Sequence, residues 1–179
     1  MDRTVTSPFL RRAGIAVACT AVLAAGATLT PAVAGVASSF RGDLRLLLDA
    51  KGAPFAEARA SLTLVGGGDA SSAVLVVHGV DPGQAGRTFG AHLHNGPCIA
   101  GAGAAAGGHY NHTGTPPTSV SDQTEVWLDF TVNGGGNGQS VTHVPFVPTP
   151  GQRSVVVHEL PTAPDGKAGD RLACLPVEW

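Results

Sequence analysis

Short apolar runs, each cut off by glycine or proline, constrain what this chain can fold into. Ala58–Val65 and Ala73–Val80 are rich in Val, Leu and Thr, and Gly66-Gly67-Gly68-Asp69 separates them as a turn. Thr88–His94, Glu125–Val132, Ser140–Phe146, Ser154–His158 and Arg171–Val177 continue the pattern, with a second turn at Gly134–Gly138. Beyond residue 34 no apolar pattern holds a 3.6-residue period for three turns, so no helix has a face to bury. Glycine (25) and proline (13) are plentiful and only 13% of residues are charged, which suits turns between strands better than a helical bundle. Seven or eight strands with polar turns predict an all-β fold, an antiparallel sandwich or Greek-key β-barrel.

The first 34 residues read as a targeting segment rather than as fold. Arg3, Arg11 and Arg12 precede an apolar stretch from Ala13 to about Leu29. Pro31-Ala32-Val33-Ala34 then offers small residues for a signal peptidase. Export follows as an expectation. An uncleaved anchor, or a lipid on Cys19 in Ala16-Val17-Ala18-Cys19, would instead keep the protein on the cell envelope and give its one route to a membrane. Residues 35–56 form an N-terminal segment, where Arg41–Asp49 alternates weakly enough for a first strand and Lys51-Gly52-Ala53-Pro54 reads as a turn. Residues 57–179 then make one β domain. A formal net charge of −2, with no basic cluster outside the first dozen residues, argues against a nucleic-acid partner. Processing at Ala34 would leave Cys98 and Cys174 in an oxidising compartment, either as a disulfide or as two separate buried thiols.

Two segments interrupt the strands, and each begins just after a histidine at a strand end. Asn95–Asp122 is long and rich in glycine and alanine; Leu160–Asp170 is a shorter Pro/Gly connection. Long connections in a compact domain tend to carry function. In Gly90-Ala91-His92-Leu93-His94 the two imidazoles share one face of a strand, about 7 Å apart along the backbone, a suitable bite for one metal ion. Alone, the pair would read as two exposed strand histidines. Gly107-Gly108-His109-Tyr110-Asn111-His112 in the long loop and Val155-Val156-Val157-His158-Glu159 at a strand end turn the reading toward metal. Imidazole donors suit copper or zinc, and four nitrogens near a plane suit Cu(II). His78 and His143 read as structural or exposed residues.

Gly90-Ala91-His92-Leu93-His94, Gly108-His109-Tyr110-Asn111, Val155-Val156-Val157-His158-Glu159 and Arg171-Leu172-Ala173-Cys174 resemble, in that order, four signature segments of the copper/zinc superoxide dismutases. The resemblance covers about Ala58 to Val177. It implies that family's immunoglobulin-like Greek-key β-barrel with long metal-site loops. It also implies copper at His92, His94, His109 and His158, and a disulfide between Cys98 and Cys174. Arg171 would attract and orient superoxide, and His109 would supply a proton. The implied activity is dismutation of superoxide to oxygen and hydrogen peroxide by alternating Cu(II) and Cu(I). The alternative is an exported copper-binding or buffering protein with the same ligands and little turnover, against which Arg171 argues.

The departures from the family pattern lie at zinc. Only His112 follows His109 in the loop, where two further zinc histidines and an aspartate are usual, and the connection from His158 to Arg171 is short. Both features resemble the copper-only branch of the family, so copper is the expected cofactor and zinc the lesser alternative. His112, Asp122 and Glu125 are the candidates for a zinc site or for holding a ligand in place. Glu125 is the first choice for a carboxylate bonded to His109, and Asp122 the second. The oligomeric state is not legible.

Overall fold

The computed structural model describes residues 35–179; residues 1–34, read above as a targeting segment, lie outside them. In chain order the strands are β1 (Val36–Asp43), β2 (Arg45–Leu46), β3 (Arg59–Gly67), β4 (Ala70–His78) and β5 (Thr88–Phe89). They continue with β6 (Ala91–His94), β7 (Phe130–Thr131), β8 (Gly138–Val144), β9 (Gln152–His158) and β10 (Arg171–Glu178). One sheet runs β1-β3-β4-β8, a second β2-β10-β9-β6, and β5 and β7 form a separate ribbon. Every pairing is antiparallel. The protein is therefore all-β.

The first sheet follows directly from alternation. In β3 the residues Ala60, Leu62 and Leu64 point inward, opposite Val77, Leu75 and Ala73 of β4. Their cross-strand contacts are the unit that stabilises such a sheet. A two-residue turn, Gly68-Asp69, joins the pair, and Gly68 takes φ +62°, a conformation that side chains resist. The second sheet is buried on both faces. Ala91, Leu93, Val155, Val157, Ala173 and Leu175 share the main core with the first sheet. On its other face Val156 packs with Leu47, Cys98, Ala106 and Cys174. Cys98 and Cys174 form a disulfide with Cα atoms 5.6 Å apart, tying the long loop to β10.

Four expectations change. The first strand is Val36–Asp43 rather than Arg41–Asp49. It pairs with β3 over its whole length as an edge strand, so only Phe40 packs on the core and alternation in the sequence is faint. Lys51–Pro54 is no simple turn: a short helix, α1 (Asp49–Gly52), leads into a 3-10 turn, Ala53–Phe55, that buries Phe55 in the core. Residues from Val36 onward thus belong to the same packed body as residues 57–179. Finally, the two sheets stay open, with no strand shared between them, so a closed barrel is not formed among the described residues. Glu125–Val132 is also interrupted: bridges at Glu125 and Trp127 precede the two residues of β7.

Candidate metal centre

β6 has two working faces. Ala91 and Leu93 enter the core, while His92 and His94 turn to the opposite side of the sheet, fully buried. β9 ends on His158, and Arg171 opens β10 directly across from it. The long loop returns beside β6 through a bridge between His94 and His109, with the Tyr110 amide donating to the Leu93 carbonyl at 2.7 Å. One strand end, one strand and one loop thus converge. His92, His94, His109 and His158 each offer a ring nitrogen, all within 4.8 Å of one another, and these four could hold a metal ion.

Hydrogen bonds assign which nitrogen each ring presents. His94 donates from Nδ1 to the Gly107 carbonyl at 3.2 Å, and His158 from Nδ1 to the Gly169 carbonyl at 3.3 Å. His109 donates from Nδ1 to Glu125 Oε2 at 2.8 Å. Each of these leaves Nε2 unprotonated. The Nε2 atoms of His94 and His158 then lie 3.2 Å apart, two lone pairs that repel each other and attract a cation. His92 is reversed. Its Nε2 is bonded to Thr162 Oγ1 at 2.7 Å, and its buried Nδ1 has no partner among the described residues. A buried polar atom left unpaired costs roughly 1–3 kcal/mol. A metal bond to Nδ1 would remove that cost.

Charge states agree with this arrangement. Burial pushes His158 down to about 4; the Gly169 carbonyl opposes the shift, while His109 and Arg171 add to it. His94 falls to about 2 through burial and then the neighbouring His109, His158 and Arg171. His92 falls further still, burial again leading. Neutral imidazole is the form that binds a metal. For the buried Glu125, desolvation alone would raise the carboxyl. Hydrogen bonds from His109, Trp127 Nε1 (2.8 Å) and Asn111 Nδ2 (3.2 Å) outweigh it and hold the group below the ordinary value.

The other candidates separate clearly. Arg171 is half-buried, donates from Nη1 to the Gly103 carbonyl at 2.7 Å, and lines an open cavity of about 680 Å³ with His109, His158 and Lys167. Burial lowers its pKa, but a guanidinium keeps its charge. Asp122 is exposed and contacts Gln123; His112 is exposed and stacks on Phe146 at 4.4 Å. Of the three residues considered around His109, the structure brings Glu125 to it and leaves the other two outside the cluster. His78 bonds Asn137 and His143 bonds Ser72, both at the surface. Thr162 and its partner Asp129 were not singled out by sequence. Asp129 lies 33 positions from Thr162, and neither belongs to a recognisable motif. No protein-family model matches the chain, and no curated protein matches it significantly.

Proposed function

We propose that the protein is a copper-dependent superoxide dismutase, a Greek-key member of the copper/zinc superoxide dismutase family that takes copper without zinc. The observation that carries the reading is the ligand set. Three buried imidazoles and the partly buried His109 present His92 Nδ1 and the Nε2 atoms of His94, His109 and His158 to one point, beside a half-buried arginine. An all-nitrogen set of this kind suits copper. Bound copper would supply the one-electron couple by which one superoxide is oxidised to oxygen and a second, with two protons, is reduced to hydrogen peroxide.

The chain's own residues account for the rest. Arg171 offers a fixed positive charge at the cavity wall, where partial burial makes it count for more toward a small anion than on open surface. Whenever its Nε2 is not on the metal, His109 can carry a proton there, and the Glu125 carboxylate at Nδ1 would stabilise the resulting imidazolium. That same carboxylate occupies the Nδ1 position through which an imidazole would bridge to a second ion, which supports copper without zinc. The disulfide and the composition of residues 1–34 support a site of action outside the cytoplasm.

Metal analysis of the disulfide-bonded protein together with a superoxide-dismutation assay tests the reading. One copper, no zinc and rapid turnover are expected. Copper with negligible turnover would establish a copper buffer instead, and stoichiometric zinc beside copper would overturn the copper-only assignment.

A further inference from the structure

Two of the four imidazoles are fixed by main-chain carbonyls, which no side-chain substitution removes. His92 is not: its outer nitrogen rests on Thr162. Thr162 Oγ1 spends its single proton on Asp129 Oδ1 at 2.6 Å, so toward His92 the hydroxyl has only lone pairs to offer. A bond of 2.7 Å between His92 Nε2 and that oxygen therefore requires the imidazole proton to sit on Nε2. Were it on Nδ1, two lone pairs would face each other at that distance, and the proton would point at the nitrogens of His94, His109 and His158.

We propose that Thr162 and Asp129 are positioning residues that fix the tautomer of His92, keeping Nδ1 unprotonated for a metal ion. The proposal rests on reading the four histidines as ligands of one ion. Asp129 is built for the task. Its Oδ2 accepts the Thr162 amide at 2.8 Å, and its Oδ1 accepts the amide of Ala91, next to His92, at 3.2 Å. One carboxylate thus ties the Leu160–Asp170 connection to the strand that bears the ligand.

Loop anchoring does not explain the Thr162–His92 bond, because the connection is held independently. The Leu160 carbonyl accepts the Gly90 amide at 2.9 Å, and the Leu160 amide donates to the Ala168 carbonyl at 2.8 Å. A Cβ at Gly90 would lie 2.7 Å from the Leu160 carbonyl oxygen and 3.1 Å from Thr162 Oγ1. Glycine at this position is what lets the loop come close enough for Thr162 to reach His92.

The test uses the metal-free protein with 15N-labelled histidine, followed by Cu(II) competition against a chelator. In the wild type, His92 Nε2 is expected as the protonated nitrogen and Nδ1 as the bare one. Thr162→Val should move the proton toward Nδ1 and lower Cu(II) affinity about 10–100-fold, the range for losing a residue that orients a metal-bound imidazole. Thr162→Ser should restore both, and Asp129→Asn should fall between. A wild-type His92 protonated on Nδ1 would overturn the proposal. So would a Thr162→Val protein with unchanged tautomer and affinity, or losses that Thr162→Ser fails to rescue. A wild type with the expected tautomer but no affinity for Cu(II) would refute the copper reading and leave the tautomer assignment standing.

Discussion

Every imidazole of the cluster has one nitrogen committed to a partner, and the partner decides how easily that ring can be altered. His109 depends on Glu125, whose carboxylate also takes Trp127 and Asn111. Glu125→Ala would leave His109 Nδ1 and Trp127 Nε1 without their acceptor, while Asn111 keeps the Ser119 carbonyl, and Cu(II) affinity should fall about 10–100-fold by chelator competition. Arg171 touches none of the four ligand nitrogens by hydrogen bond; its bond is to Gly103. Arg171→Ala should therefore lower kcat/KM on the order of tenfold or more, the scale on which a local charge raises the arrival rate of an anion. Copper content should stay near that of the wild type, and the salt dependence of the rate should weaken. Loss of copper in that variant would show that Arg171 holds the site together. Acid should unfold the metal-free protein for a reason visible at His158. From pH 6.5 down to about 4 the unfolded chain binds a proton there that the folded protein refuses. Stability is thus fully present above pH 6.5 and drops as pH falls through that window. Displacement of one group from 6.5 to about 4 is worth about 3 kcal/mol. Denaturant unfolding of the metal-free protein at pH 7 and pH 4.5 should show a loss at least this large, because His92 and His94 are displaced in the same direction, and bound copper, which excludes protons from the same rings, should not flatten the dependence.

At the scale of an element, β6 shows why the site needs the core. Leu93 is fully buried between His92 and His94 of the same strand, facing the opposite way. Leu93→Ala should cost about 2–5 kcal/mol of stability, since the surrounding sheets cannot close fully over the lost volume. It should also weaken copper binding by loosening His92 and His94. Val141→Ala, on the exposed face of β8, should change stability by only about 0.5 kcal/mol or less and leave copper binding alone. The alternation of β6 was legible in the sequence, because period-two placement puts His92 and His94 on one face whatever surrounds them. So was Glu125, the nearest upstream carboxylate to Trp127. The strand β1 was not, because an edge strand that buries little beyond Phe40 leaves almost no apolar alternation to read. Nor was the broken course of residues 125–132, where the Asp129 side chain reaches the Ala91 amide beside only short stretches of backbone pairing. Thr162 and Asp129 fall into the same class. Their meeting depends on how a loop lies against a strand, and no local pattern encodes that.

Across the described residues as a whole, two open sheets share one core, and the histidine cluster sits on the far face of the second sheet beside two loops. Such a face needs a cover that stays in place, and here the longer loop is closed covalently. Cys98 and Cys174 are 76 positions apart in sequence. In the chain-entropy account a constraint of that length stabilises the folded state by about 4.5 kcal/mol. The bond also lies close to the chemistry in the chain. Cys174 follows Arg171 by three residues in β10, and Cys98 precedes Gly103, whose carbonyl holds the guanidinium, on the same loop that carries His109. Opening the disulfide should therefore act in two stages that separate experimentally. The Cys98→Ser, Cys174→Ser protein should unfold at lower denaturant, with a loss of about 2–5 kcal/mol. At temperatures where it remains folded, dismutation should fall further than copper content, because His92, His94 and His158 are carried by strands, whereas His109 lies on the loop and Arg171 and His94 each bond one of its carbonyls. Equal loss of copper and activity would mean that the loop shapes the ligand set itself, and that the strands alone do not hold the cluster together.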